Sequence, residues 1–293
     1  MRPRMLHPEA AAWRAAVIAN GGSVSRRTVN AVSKFCNAIV AAGIRSKFLR
    51  LNLVCGNNLA AARVPLYRGA SASGTQYGSA VDTNLGPFTA NDYSEATGLQ
   101  GDGSYKALDT TITVGTLVTF GLSINDLHMS VYNRSLSEES RCSFGVYDLG
   151  FAGYGAVAAI NTTSMSQYDG TCFPEFASGG ADAHTFSYRI LTRAACGSTI
   201  DTRGFNLSEF AFASNSFYGL NGTEVPSNDG DGGAVAFESN DIAPLYFLGD
   251  TYNYSSQLLS AYSCGLPMTT PANRLAFATA MTAFQTALRR NFP

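Results

Sequence analysis

Charge is scarce in this sequence. Asp, Glu, Lys and Arg make up 14% of its 293 residues, where about a quarter is usual, and 21 acidic against 20 basic residues leave a net charge of −1. There is no basic stripe, which excludes the electrostatic footprint of a nucleic-acid binder. The basic residues near the ends (Arg2, Arg4, Arg14, Arg26, Arg27, Arg289 and Arg290) are interspersed with Ala and apolar positions and read as solvated helix faces. No run of about 18 apolar residues occurs, so no membrane insertion is expected. Arg14 interrupts the Ala-rich stretch of residues 1–22, which leaves no apolar centre for a secretion signal. Cysteines are few: Cys36, Cys55, Cys142, Cys172, Cys196 and Cys264 form no CxxC pair and match no zinc spacing. Without a secretion signal they read as reduced, mostly buried thiols.

Apolar residues, at 45%, suffice for a sizeable core, and 29 glycines suit short strands joined by tight turns. The first 45 residues read as two helices. Pro8 and Glu9 suit a first turn, Asn20-Gly21-Gly22 stops the helix, and Ser23 or Ser25 caps the second. Val29, Val32, Phe35, Cys36, Ile39 and Val40 recur at helical spacing. The short turn implies an antiparallel helical hairpin. Residues 48–54 read as a strand with Leu49, Leu51 and Leu53 alternating; residues 58–65 have room for one helical turn, and 68–80 are a Gly/Ser-rich loop. From 81 to 265 short segments alternate with turn signals, giving expected strands at 117–124, 126–132, 142–147, 155–161, 185–192, 209–214, 233–238 and 244–248. Strands without long intervening helices imply an antiparallel sandwich or barrel. Thr270 and Pro271 start a closing helix, with Phe277, Met281, Phe284 and Leu288 on one face. The division that follows is an N-terminal helical arm with strand and loop over 1–80, and a sandwich with its closing helix over 81–293.

The segment Gly98-Leu99-Gln100-Gly101-Asp102-Gly103-Ser104-Tyr105-Lys106-Ala107-Leu108-Asp109-Thr110 resembles the opening of laminin-G/concanavalin A-like jelly-roll domains in proteins encoded by bacteriophages and prophages. The strand from Asp126 to Tyr132, Phe144-Gly145-Val146-Tyr147-Asp148, the Tyr218–Thr223 hairpin, and the segments 245–249 and 259–266 are similar to later strands of such domains. Trp13, residues 20–25, 50–56 and Val64-Pro65-Leu66-Tyr67 resemble leader segments of the same proteins. The resemblance implies a mainly β fold, an antiparallel jelly-roll β-sandwich with an N-terminal helical hairpin arm and a C-terminal helix. It implies a bacteriophage virion structural protein on the capsid or tail, in a decoration, fibre or adhesin role. Such a protein assembles in the host cytoplasm onto the virion surface, with other virion proteins as partners and the arm as its anchor. A homo-oligomer is expected, a trimer by analogy with surface spikes.

The alternatives are a glycan-binding, lectin-like receptor-binding protein and a polysaccharide hydrolase. Concanavalin-like retaining glycosidases resemble one another in an E-x-D-x-x-E strand, which places two carboxylates on one face; this chain has none, since Glu138-Glu139 is a loop-like pair and Glu238-Ser239-Asn240-Asp241 is misspaced. No G-x-S-x-G elbow occurs. His7, His128 and His184 lie far apart, and Gly101-Asp102-Gly103-Ser104 is a turn, not a phosphate loop. The expectation is that the chain is not an enzyme and has no catalytic residues. Asp229 and Asp231, in a polar hairpin tip, are the candidate Ca2+ ligands, although no distal bidentate Glu follows. Tyr252 and Tyr254 are the candidate contacts for a host-surface glycan.

Overall fold

The computed structural model describes residues 5–69, 74–122, 127–135, 143–148, 156–160, 171–173, 189–193, 203–210, 217–220, 223–224, 227–231, 244–247 and 254–290. In chain order the elements are α1 (Pro8–Ala19), α2 (Arg26–Ala41), β1 (Phe48–Asn52), α3 (Leu59–Ala62), β2 (Thr83–Leu85), β3 (Tyr93–Ser94), β4 (Gly98–Gln100), β5 (Ala107–Thr113), α4 (Val114–Thr119), β6 (Leu127–Asn133), β7 (Phe144–Asp148), β8 (Ala156–Ile160), β9 (Thr171–Phe173), β10 (Arg189–Arg193), β11 (Gly204–Phe210), β12 (Phe217–Leu220), β13 (Thr223–Glu224), β14 (Ser227–Asp231), β15 (Pro244–Phe247), β16 (Leu258–Gly265) and α5 (Pro271–Ala287). The first sheet runs β13-β12-β11-β6-β16-β4-β3, with β1 also on β16; the second runs β14-β10-β9-β8-β7-β15-β5-β2. The described pairings are antiparallel, as in β6 with β11 and β16 and in β7 with β8 and β15. The architecture is mainly β, a sandwich with few helices. No helix among the described residues is long and apolar enough to cross a membrane.

Two apolar clusters make three layers. Between the sheets, Leu127, Met129, Val131, Tyr262 and Cys264 of the first meet Leu108, Ile112, Phe144 and Phe247 of the second. On the first sheet's other face, Tyr132, Phe205, Leu207 and Ala261 pack under Trp13, Phe35, Ile39, Phe277 and Phe284 of α1, α2 and α5. The first sheet is therefore covered on both sides. β6 alternates apolar and polar residues as a half-solvated strand does, yet every residue in it is buried.

The helices form where the local signals place them. Ser25 accepts from Thr28 N at 3.1 Å and Thr270 from Asn273 N at 3.2 Å, each closing a first turn. Pro8 and Pro271 open their helices, and Gly21 takes φ +73° just past the end of α1. Packing does not break at residue 80. β1 pairs with β16, and α1 and α2 share one core with α5. The expected arm is a layer of the same body.

Three local expectations need correction. Residues 117–124 were expected as a strand, but α4 occupies 114–119. Thr113 and Thr116 cap one another, Thr116 N donating to Thr113 Oγ1 at 3.1 Å and Thr113 N to Thr116 Oγ1 at 3.3 Å. That reciprocal cap outweighs the strand preference of Val, Leu and Thr. In β1 the register shifts between Phe48 and Arg50, so Leu49 joins the inter-sheet core while Leu51 and Leu53 join the helical side. A strand expected over 209–214 lies at Gly204–Phe210 instead; residues 211–216 and the expected strand at 233–238 lie outside the described residues.

Gly265 closes this arrangement, opposite Phe48 in the β1–β16 register. A Cβ there would stand 1.9 Å from the Lys47 carbonyl oxygen and 2.8 Å from Leu49 N. Gly265→Ala is expected to cost about 2–4 kcal/mol, because backbone on both sides would have to move. A denaturant midpoint equal to that of the parent would refute this.

Candidate functional site

Charged groups buried inside the protein are the first places to look for chemistry. Arg50 on β1 is fully buried between the sheets. Its Nη2 donates to Asp82 Oδ1 at 2.5 Å and its Nη1 to the Ser79 and Tyr77 carbonyls at 2.9 and 3.3 Å. Asp82 Oδ2 accepts from Asn52 Nδ2 and the Tyr262 hydroxyl, both at 2.7 Å. Burial works against the guanidinium charge, but Asp82 and Tyr262 more than offset it and raise the Arg50 pKa. The Tyr262 ring lies between Phe144 and Phe247, with centroids 4.8 and 4.7 Å away. This network is closed on every side by its own partners and holds the two sheets together.

On the helical side, His128 of β6 is fully buried. Its Nδ1 lies 2.8 Å from the Leu266 carbonyl and its Nε2 3.0 Å from Ser263 Oγ, which is 2.7 Å from Ser130 Oγ. The carbonyl requires the proton on Nδ1, so Nε2 accepts from Ser263 and Ser130 donates to Ser263. Phe48 and Phe277 pack against the imidazole. Opposite His128 in the register stands Glu209, whose oxygens accept from Met268 N and Arg274 Nε, each at 2.7 Å. Burial pushes the Glu209 carboxyl up, against the pull of Arg274. Histidine and serine sit side by side here as packed polar core.

Burial pushes His128 down to about 4, with the Leu266 carbonyl pulling weakly the other way. The folded protein therefore holds this imidazole neutral, while the unfolded chain takes up a proton below about 6.5. Stability from this group is complete above that pH and falls as pH drops from about 6.5 towards 4. The loss approaches about 3 kcal/mol at the acid end. Urea melts at pH 7 and 4.5 should show a smaller acid loss in His128→Gln than in the parent. Because Glu209 titrates with the opposite sign, the difference between the two proteins is the quantity to read. Equal acid losses would contradict the assignment.

Arg290 departs from its reading as a solvated helix-end cation. It is fully buried, donating to the carbonyls of Leu53 (2.6 Å), Val54 (2.9 Å), Ser260 (3.1 Å) and Glu95 (3.2 Å) and to Gln285 Oε1 (2.5 Å). Neighbouring Arg289 remains exposed, as expected.

The helical hairpin brings charged groups beside open space. A cleft of about 110 Å3 lies between α1 and the chain after α3, lined in part by Glu9, Trp13, Arg45, Leu66, Arg68 and Gln76. Trp13 Nε1 donates to the Val64 carbonyl at 3.0 Å and fixes one wall. Arg45 donates to Glu9 Oε1 at 2.6 Å and to the Gly69 carbonyl at 2.7 Å, and its guanidinium lies 3.7 Å from the Tyr67 ring centroid. Arg68 donates to Gln76 Oε1 and the Gly78 carbonyl, while its buried Nε has no hydrogen-bond partner among the described residues. Two guanidiniums, a carboxylate and an indole suit a small polar or anionic ligand. Next to this cleft, His7, Glu9 and Cys36 bring ligating atoms within 4.8 Å of one another. Burial pushes the Cys36 thiol up to about 12.

Asp229 and Asp231 lie in β14, opposite Leu191 and Arg189 of β10. They belong to a paired strand, not to a hairpin tip. Tyr254 is half-buried, and Tyr252 lies outside the described residues, as do His184, Glu138-Glu139 and Glu238. Cys36, Cys55 and Cys264 are free and buried; Cys172 lies in β9, opposite Leu191 of β10, and Cys142 and Cys196 lie outside the described residues.

No protein-family model and no curated protein matches this sequence. Among solved structures, the chain is similar to a Trypanosoma rangeli sialidase in complex with 2,3-difluorosialic acid (11% identity, TM-score 0.42, 85% of this chain and 38% of that one). It is also similar to domain 4 of an extracellular arabinanase from Geobacillus stearothermophilus in complex with arabinotriose (11% identity, TM-score 0.34, 61% of this chain and 75% of that one). The chain thus spans well under half the length of the sialidase. The expectation that the chain is not an enzyme is withdrawn on this finding, since these structures are of enzymes or of a domain of one.

Proposed function

We propose that the chain is a structural module of a bacteriophage particle, a jelly-roll sandwich of the laminin-G/concanavalin A-like kind displayed on the capsid or tail. The observation that carries this reading is the segment 98–110, in which Gly98, Asp102 and Leu108 of the phage-type motif have structural tasks. Gly98 takes φ +105°, where a Cβ would stand 2.4 Å from the Leu259 carbonyl oxygen. Asp102 Oδ1 accepts from the backbone of Ser104, Tyr105 and Lys106 at 3.0–3.1 Å and folds the turn. Leu108 then enters the inter-sheet core from β5.

Attachment falls in this reading to the outer face of the helical layer, where Ile18, Val40 and Leu275 are exposed, and not to a free arm. Mass spectrometry of purified source particles is expected to find this chain at a fixed copy number, and antibody labelling to place it on the surface. Particles that remain infectious and intact without any trace of the chain would sink the proposal.

A further inference from the structure

The start of α1 and the middle of α2 gather three groups with metal-binding chemistry. His7 precedes α1, Glu9 is in its first turn, and Cys36 lies on α2. His7 N donates to Ser33 Oγ at 2.8 Å, so the entering chain is pinned to α2 one turn from Cys36. Glu9 is held differently at its two oxygens. Oε1 takes the Arg45 bond at 2.6 Å, while Oε2 is buried with no hydrogen-bond partner among the described residues and lies 3.9 Å from His7 Nδ1. The Tyr67 hydroxyl is buried against the Cys36 thiol without a well-directed hydrogen bond. A buried carboxylate oxygen with no partner among the described residues is costly unless something else takes it up.

We propose that His7, Glu9 and Cys36 bind one zinc-class divalent cation, with the Tyr67 hydroxyl facing the fourth position. One nitrogen, one sulfur and one oxygen form a donor set suited to Zn2+ or Co2+ and not to Ca2+ or Mg2+. Tetrahedral bonds of about 2.0–2.3 Å put ligand atoms roughly 3.3–3.8 Å apart. From a starting spread within 4.8 Å, side-chain rotation of about 1 Å closes the site on a fixed helical frame. Arg45 then acts as an outer-shell group orienting the carboxylate. On binding, the Cys36 thiol releases its proton to solvent, and the resulting thiolate and Glu9 together neutralise the cation. The long contact from Glu9 N to His7 Nδ1, 3.3 Å, is a weak cap that a metal bond replaces at small cost.

The test uses the full chain after chelator treatment, titrated with Co2+ and then Zn2+. One equivalent of Co2+ is expected to raise a thiolate-to-metal charge-transfer absorption, which Zn2+ then bleaches by displacement. Cys36→Ser should abolish the band, and His7→Ala should weaken Co2+ binding at least tenfold. Cys55→Ala, at a buried cysteine outside the cluster, should keep the band. The proposal fails if folded parent protein shows no band at stoichiometric Co2+, or if Cys36→Ser retains it. Should Cys36→Ser not fold, undiminished binding in His7→Ala, whose side chain is partly exposed, overturns it by itself.

Discussion

Asp82→Ala is expected to lose about 3–5 kcal/mol of stability, the range for breaking a buried ion pair by removing one member. The Arg50 cation would stay between the sheets with two carbonyls and the Tyr262 hydroxyl as its remaining acceptors, and the Asn52 amide and Tyr262 hydroxyl would each lose an acceptor. An exposed pair would be worth under about 1 kcal/mol; Arg50 and Asp82 have no exposed side-chain surface, so the larger figure applies. The double variant Arg50→Met/Asp82→Leu should recover much of the loss, since an apolar pair leaves no stranded charge. Guanidinium denaturation of the parent, both singles and the double checks both statements. A single Asp82→Ala loss below about 1 kcal/mol would mean that the network contributes little.

Arg290→Met is expected to cost about 3 kcal/mol or more, because five acceptors on four segments lose a common donor. Part of that is returned, since burial already disfavours the guanidinium charge and lowers its pKa. The adjacent Arg289→Met should change stability by less than about 0.5 kcal/mol. The two arginines are neighbours of identical type, so the contrast isolates location from charge. Similar denaturant midpoints for both variants would show that the buried hydrogen bonds carry no net stabilisation.

What could be read from sequence was whatever is decided locally. Ser25, Thr270 and Pro271 mark helix starts because a cap acts within one turn, and the stripe from Val29 to Ile39 marks a buried face. β6 and β15 were legible as short strands. α4 was not, since the mutual cap of Thr113 and Thr116 competes with residues that favour strands. The β1 bulge was hidden because it depends on β16, more than two hundred residues away. Arg290 looked solvated because an arginine at a helix end usually is; its acceptors come from the chain just after β1 and β3, from β16 and from α5. The metal trio was partly within reach. In an antiparallel helical hairpin, residues equally far from the turn face one another, and Glu9 and Cys36 are so placed relative to Ala19 and Arg26. Cysteine spacing alone gave no such hint, since two of the three ligands are not cysteines.

The pairing of β1 with β16 has a consequence for how the chain acquires its structure. The partner strand of β1 lies at residues 258–265, and α1 and α2 complete their core against α5. During synthesis the early helices and Phe48, Leu51 and Leu53 have only one another and residues 61–67 to pack on, and their core stays incomplete until β16 and α5 have left the ribosome. At elongation rates of about 5–20 residues per second that interval is on the order of ten seconds or more. Long-range closure of this kind makes folding slow and makes early apolar segments natural chaperone clients, so a ribosome stalled short of β16 would carry a chain prone to aggregate.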